Sequence, residues 1–281
     1  MMRAMVYSVN DPAGAGIAEY VREVCSVEEY DVPRAVRAWR VKGLDSLLVG
    51  FEEDVIFFDF LDEILPESEY YIFLSRHSAE SGIKSFTTHH TGNPTSQALY
   101  GGRPHELSIA IPPLSRAFLE GMAKVVDEKK VTGYKVVYEV THHGPTNLRR
   151  PLSFIEIGSS IEEWRSREAH EVIGEVVIRA LKGEFRPERC FPVVGFGGPH
   201  YAETFTRRAL ERGECYGHMI PRYALKELRE RPDILKAIAT QTLEKESIPI
   251  QGIVMLKKVG SVTKKVLKEL AAERGLELIT A

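Results

Sequence analysis

Histidines are the residues of this chain whose placement points to chemistry. His77 lies in LSRHS, His89 and His90 in TTHHTGN, His142 and His143 in THHGPT, and His200 in GFGGPHY, each just after a strand-like run. Imidazole takes or gives a proton near neutrality and is the commonest metal ligand. One histidine after a strand is ordinarily a satisfied polar residue. Four strands ending the same way predict that six imidazoles meet outside the carboxyl ends of a sheet, where α/β proteins place their sites. Glu156 is the second anomaly, a carboxylate inside the apolar run Phe154-Ile155-Glu156-Ile157. Buried there it needs a partner from another strand, a histidine or a metal held by one; otherwise its strand has one wet face.

Several histidines with a carboxylate make a zinc-type ligand set. The candidates are His89, His142, His143, Glu156 and His200, and no H-E-x-x-H or C-x-x-C spacing assigns them. A metal-free reading uses a neutral histidine as general base, with Glu156 fixing its tautomer. On an extended backbone the adjacent His142 and His143 point to opposite sides, so one faces the site while the other packs. The Gly197-Gly198 turn before His200 exposes backbone N–H groups that can hold an oxyanion or phosphate. Neither a P-loop nor a G-x-S-x-G elbow is present.

These loops need a scaffold. Strands are expected at 4–9, 55–60, 70–74, 84–90, 134–140, 153–158, 190–196 and 252–258, with a short one at the end of the chain. Helices are expected at 15–25, 113–129, 161–182, 202–212, 223–229, 232–244 and 261–274, from apolar residues at helical spacing. Alternation of this kind predicts a three-layer α/β/α sandwich with a largely parallel or mixed sheet. The chain reads as a single α/β hydrolase-type domain over 1–281, with room for an irregular insertion around 30–65.

With 281 residues, 43% of them hydrophobic, the chain can bury a core without staples. Cys25, Cys190 and Cys215 are far apart and odd in number, which predicts free thiols and a reducing, cytoplasmic setting. No apolar run reaches membrane-spanning length, and the N-terminus reads as a strand rather than a signal peptide. The net charge of −3 excludes indiscriminate coating of nucleic acid and leaves room for local basic patches. Candidates include Arg149-Arg150, Arg207-Arg208 and Lys257-Lys258, each of which alone reads as a solvated face.

Taken together, THHGPT (141–146), SFIEIGSS (153–160) and GFGGPHYA (195–202), preceded in order by LSRHSAESG (74–82) and TTHHTGN (87–93), resemble the archaeal/plant-type D-aminoacyl-tRNA deacylases over nearly the whole chain. The resemblance implies hydrolysis of the ester joining a D-amino acid to the 3′ end of tRNA. It also implies a zinc-containing monomer related in fold to the phosphorylase and peptidyl-tRNA hydrolase class. Carried over residue by residue, it marks His142, His143, Thr146 and His200 first, then Glu156, His77 and His89. Ester hydrolysis needs an activated water and stabilisation of a tetrahedral oxyanion. A tRNA substrate adds a demand for cations near the mouth, and Arg76, Arg103, Arg149 and Arg150 flank the motifs. The rival readings are a metal-dependent amidohydrolase or nucleoside-phosphorylase-like enzyme on a small metabolite, and a non-catalytic RNA- or metal-binding protein.

Overall fold

The computed structural model describes residues 2–79 and 82–281. Glu80 and Ser81, in the LSRHSAESG motif, lie outside the described residues. The strands in chain order are β1 (Met2–Ser8), β2 (Val27–Glu29), β3 (Arg37–Val41), β4 (Ser46–Phe51), β5 (Ser68–Ser78), β6 (Ser85–His89) and β7 (Gly92–Asn93). Then come β8 (Glu106–Leu107), β9 (Lys135–Tyr138), β10 (Leu152–Ser159), β11 (Phe191–Phe196), β12 (Glu214–Ile220), β13 (Gly252–Met255) and β14 (Glu277–Thr280). The helices are α1 (Pro12–Val24), α2 (Leu61–Ile64), α3 (Pro112–Lys129), α4 (Ile161–Trp164), α5 (Arg167–Leu181), α6 (Glu203–Arg212), α7 (Arg222–Leu228), α8 (Pro232–Glu244) and α9 (Ser261–Arg274).

The fold is α/β with a large mixed sheet, in the order β2-β3-β4-β1-β5-β10-β6-β9. Strands β4, β1, β5 and β10 run parallel, whereas β6 is antiparallel to β10 and β9 follows β6. The later strands form their own parallel sheet, β12-β11-β13-β14, and not the continuation of the first. Its β12 has no counterpart among the expected strands, because GECYGHMI is short and broken by polar residues. The residues around 30–65 do not stand apart: β3 and β4 pair into the large sheet beside β1.

Strand alternation sorts the large sheet's two faces. Ile72, Leu74, Ile155 and Ile157 face the core shared with α1, α3 and α5. Tyr71, Phe73, Leu152 and Phe154 face the other way, under Val55, Phe58, Phe60 and Leu61. The run VIFFDF, read as a strand from its continuous apolarity, is therefore a turn of 3₁₀ helix and a loop. Asp54 caps it by accepting from the Ile56 N–H, and Phe58 packs edge-on against Phe51 at 5.1 Å. The expected helix 161–182 breaks at Arg165, where Ser166 caps α5 and the Trp164 indole donates to the His77 carbonyl at 3.0 Å.

Cys190 and Cys215 are paired in a disulfide, Cα–Cα 5.2 Å, against the expectation of free thiols. They are distant in sequence, but one precedes β11 and the other lies in β12, which pair in parallel. Cys25 is free. No helix of the described residues is long and apolar enough to cross a membrane.

Candidate active site

The site lies on the face of the large sheet away from α1, α3 and α5, over β10. Register explains it. Gly158 of β10 sits beside His77 of β5, and Phe154 sits beside His89 of β6, with Glu156 halfway between. Residues two apart share a face, so Glu156 points to the same side as both histidines. Its Oε2 is 3.4 Å from His89 Nε2 and 3.8 Å from His77 Nδ1. Because β6 is antiparallel to β10, the crevice crosses the middle of β10 rather than capping parallel carboxyl ends as expected.

Glu139, which sequence reasoning passed over, is the centre of the cluster. It follows β9, its N–H donates to the Thr88 carbonyl at 3.1 Å, and it is fully buried. His200 Nε2–H donates to Glu139 Oε2 at 2.9 Å, His77 Nδ1 lies 3.1 Å from Oε1, and His142 Nε2 lies 3.5 Å from Oε2. The signal that exposed Glu156 was also present here, a carboxylate within the β-branched and aromatic run YKVVYEV.

Both rings of the His142-His143 pair face the crevice, contrary to the expectation that one would pack away. His143 leaves the extended conformation, with φ at +43°, and turns its ring back. Ring centroids are 4.2 Å apart for His89 and His142, 4.9 Å for His89 and His143, and 4.4 Å within the pair. A left-handed non-glycine residue costs about 1–3 kcal/mol, and such strain gathers at functional sites. His90 does depart. It is buried on the other side, its Nε2 accepting from the Ile111 N–H at 3.2 Å, with its ring 6.0 Å from that of His218. Five imidazoles meet, not six.

Backbone carbonyls set the tautomers. A carbonyl only accepts, so Nδ1 carries the proton where His142 meets the Val140 oxygen and His143 the Gly144 oxygen, both at 2.7 Å. Their Nε2 lone pairs are left for the crevice. Burial, reinforced by His89, His143 and His200, holds His142 well below the usual imidazole range; burial and His89 bring His143 down to about 4. Burial lowers the pKa of His89 too, but the carboxylate of Glu156 beside it outweighs burial and raises it. For Glu139 burial works upward, yet His77, the bond from His200 and His89 bring it down to about 2.

The crevice is rich in acceptors. Single donor atoms of His89, His142 and His143 lie within 4.8 Å of one another, as do those of His77, Glu139 and His200, and of His89, Glu139 and Glu156. His77 Nε2, His89 Nε2 and Glu139 Oε1 are buried without a hydrogen-bond partner. Lone pairs facing one another in a buried space call for protons or a cation between them. This donor set fits a zinc-type ion.

The remaining candidates divide. A cavity of about 580 Å³ opens onto His77, His142, His143, Glu156 and His200, with Arg76, Tyr100 and the Asp54–Ile56 turn as its other walls. Arg76 Nη2 is bonded to Asp54 at 2.8 Å, and its backbone N–H to Asp11 at 2.8 Å. Thr146 is buried behind the His143 turn, donating to Glu106 and accepting the Arg103 N–H at 3.0 Å; it shapes the wall and does not line the cavity. Arg149 pairs with Asp62 at 3.7 Å, and Arg150 donates to the Pro66 carbonyl at 3.1 Å. Arg103 is exposed near the turn that holds Thr146. Gly197 and Gly198 are turned away from the histidines. The Gly197 N–H is spent on the Ile220 carbonyl at 2.8 Å, so it is not a free oxyanion donor, and both glycines line a different cavity.

Imidazoles and carboxylates converging on a solvent-open cavity, on an α/β scaffold, define a hydrolase of the acid–base or metal-assisted class. Known proteins narrow the class. Residues 64–279 match the family model described as D-aminoacyl-tRNA deacylase. A D-aminoacyl-tRNA deacylase of Desulfurococcus amylolyticus is 44% identical over 277 residues, 99% of each chain. One of Staphylothermus marinus is 41% identical, covering 98% of this chain and 97% of its own. A crystal structure described as that of a conserved protein of unknown function superposes with a TM-score of 0.87 at 30% identity, covering 99% of this chain and 95% of that one. The chain belongs to the D-aminoacyl-tRNA deacylase family.

Proposed function

We infer that this chain hydrolyses the ester between a D-amino acid and the 3′ end of tRNA, releasing both. The observation that carries the reading is the convergence of His77, His89, His142, His143 and His200 on Glu139 and Glu156 at one open cavity, in a chain of this family. The small-metabolite alternative is not favoured, since family and relatives bear the deacylase name over the full length.

His200 is the residue suited to move the proton. Glu139 accepts its Nε2–H, which leaves the Nδ1 lone pair for a water. As the water oxygen attacks the ester carbonyl, Nδ1 takes its proton. When the carbon–oxygen bond to the ribose breaks, the same proton passes to the departing 3′ oxygen. Of the two carboxylates lining the cavity, Asp54 is paired with Arg76, so Glu156 is the one available to the α-ammonium group, while Val55, Ile56 and Tyr100 form a wall for the side chain. Chirality then depends on which of the two positions each substituent can reach.

His89, His142 and His143, with Glu156 or Glu139, would hold zinc, and the partnerless buried His89 Nε2 supports that set. When bound, such an ion polarises a carbonyl and lowers the pKa of water. The reading is of a monomer acting on charged tRNA in the cytoplasm. The test is elemental analysis of the purified protein together with hydrolysis of D- and L-tyrosyl-tRNA, with and without chelator. The expected result is zinc in the protein and chelator-sensitive turnover of the D substrate. Unchanged rates in both His142→Ala and His200→Ala would remove these residues from the chemistry.

A further inference from the structure

The turn from Gly195 to His200 has two sides. His200 enters the catalytic crevice, whereas Gly197 and Gly198 border a separate cavity of about 300 Å³. Gly197 and Gly198 have φ of +110° and +91°, which side-chain-bearing residues rarely adopt. The Gly198 carbonyl accepts the Arg222 N–H at 3.0 Å, tying the turn to the start of α7.

Four cations line this cavity from three places in the fold: Arg207 on α6, Arg222 on α7, and Lys257 and Lys258 after β13. No acidic side chain lines it, and among the described residues none of the four has a carboxylate within 4.0 Å. The lining side chains carry four positive charges and no negative one. This contrasts with Arg76 and Arg149, whose charges are taken up by Asp11, Asp54 and Asp62. A concentration of uncompensated charge in a concavity attracts anions and weakens with salt.

We propose that this cavity docks a backbone phosphate of the RNA substrate, so that the strand carrying the ester is held on the far side of the His200 turn. The proposal rests on the tRNA reading above. Consecutive Cα atoms are about 3.8 Å apart, so Gly198 lies within about 8 Å of His200 along the chain. The cavity is therefore within reach of a strand whose 3′ end lies at His200. Phosphate contacts fix register without reading sequence. They hold any charged tRNA in place whatever its amino acid, leaving the discrimination of D from L to the histidine crevice.

Two measurements on the full chain test this. In the first, the affinity for uncharged tRNA is followed against salt for the wild type, Lys257→Glu/Lys258→Glu and Arg207→Glu. Affinity is expected to fall at least tenfold in the reversed-charge variants, and the slope of log K against log salt to become shallower by about 0.7–0.9 for each phosphate that is no longer neutralised. The milder Lys257→Gln/Lys258→Gln should shift both in the same direction by less, and thermal melts confirm folding. In the second, KM for D-tyrosyl-tRNA is expected to rise as affinity falls. Wild-type turnover with unaltered affinity and slope in every variant overturns the pocket and leaves the deacylase reading standing. Loss of tRNA binding in the variants, with no wild-type hydrolysis of D-aminoacyl-tRNA, refutes the deacylase reading and leaves the pocket standing.

Discussion

Glu139→Gln is the most informative single change, since Glu139 touches three of the five imidazoles and is fully buried. Gln keeps the shape and removes the charge. The 2.9 Å bond from His200 is to a charged acceptor, and such a bond contributes about 1.5–3 kcal/mol. A neutral amide oxygen recovers about 0.5–1.5 kcal/mol of it. The net loss on that bond is then about 1–1.5 kcal/mol. If that energy orients His200 in the transition state, kcat/KM falls by a factor of roughly 5–12 at about 1.4 kcal/mol per tenfold. The assay is deacylation of D-tyrosyl-tRNA under kcat/KM conditions, with a thermal melt of each protein. A variant that folds like the wild type and retains kcat/KM within about threefold would refute the assignment of His200 as a base oriented by Glu139.

Three further outcomes are expected. A Cβ at Gly158 would lie 2.6 Å from Ser85 Oγ and 2.9 Å from His77 Cδ2, so Gly158→Ala should displace His77 and reduce kcat/KM tenfold or more, as steady-state kinetics would show. His218 is fully buried, and burial first, with the Lys245 charge, depresses it to about 4. Its contribution is complete above the unfolded value near 6.5 and is lost as pH falls towards 4, roughly 3 kcal/mol at about 1.36 kcal/mol per unit. Urea unfolding of His218→Gln should therefore vary less with pH than the wild type between pH 6.5 and 4, and equal slopes would contradict this. The Cys190–Cys215 bond closes a loop of 25 residues, so Cys190→Ser/Cys215→Ser should lose about 3 kcal/mol in denaturant titration with turnover preserved.

The site is built where the large sheet changes direction, and that placement has a chemical consequence. Between β5 and β6, β10 carries Glu156 flanked by two histidine-bearing strands, so a buried carboxylate finds partners on both sides. The covering layer is the Asp54–Phe60 turn with the short α2, and a cavity of about 580 Å³ stays open beside it.

Much of this was legible from local pattern. Periodicity located β5, β6, β9, β10 and β11 and helices α3, α8 and α9 within a few residues, and the motifs at the ends of β5, β6, β9 and β11 named His77, His89, His142, His143 and His200. The anomaly of Glu156 in an apolar run is local too, although a strand with one wet face has the same pattern and only packing buries the residue. Tertiary structure alone decided which strands are neighbours and in which direction they run. That choice turned β6 against β10, sent His90 to a separate buried pair with His218, and made Glu139 the hub. It also joined Cys190 to Cys215 and turned Gly197 and Gly198 away from the crevice. The left-handed backbone at His143 belongs to the same class. The physical reason is common to all of them. A residue's own neighbours in sequence fix its rotamer, its face and its propensity. The partners that satisfy a buried charge or compensate a strained dihedral come from segments tens of residues away, and only the assembled packing selects them.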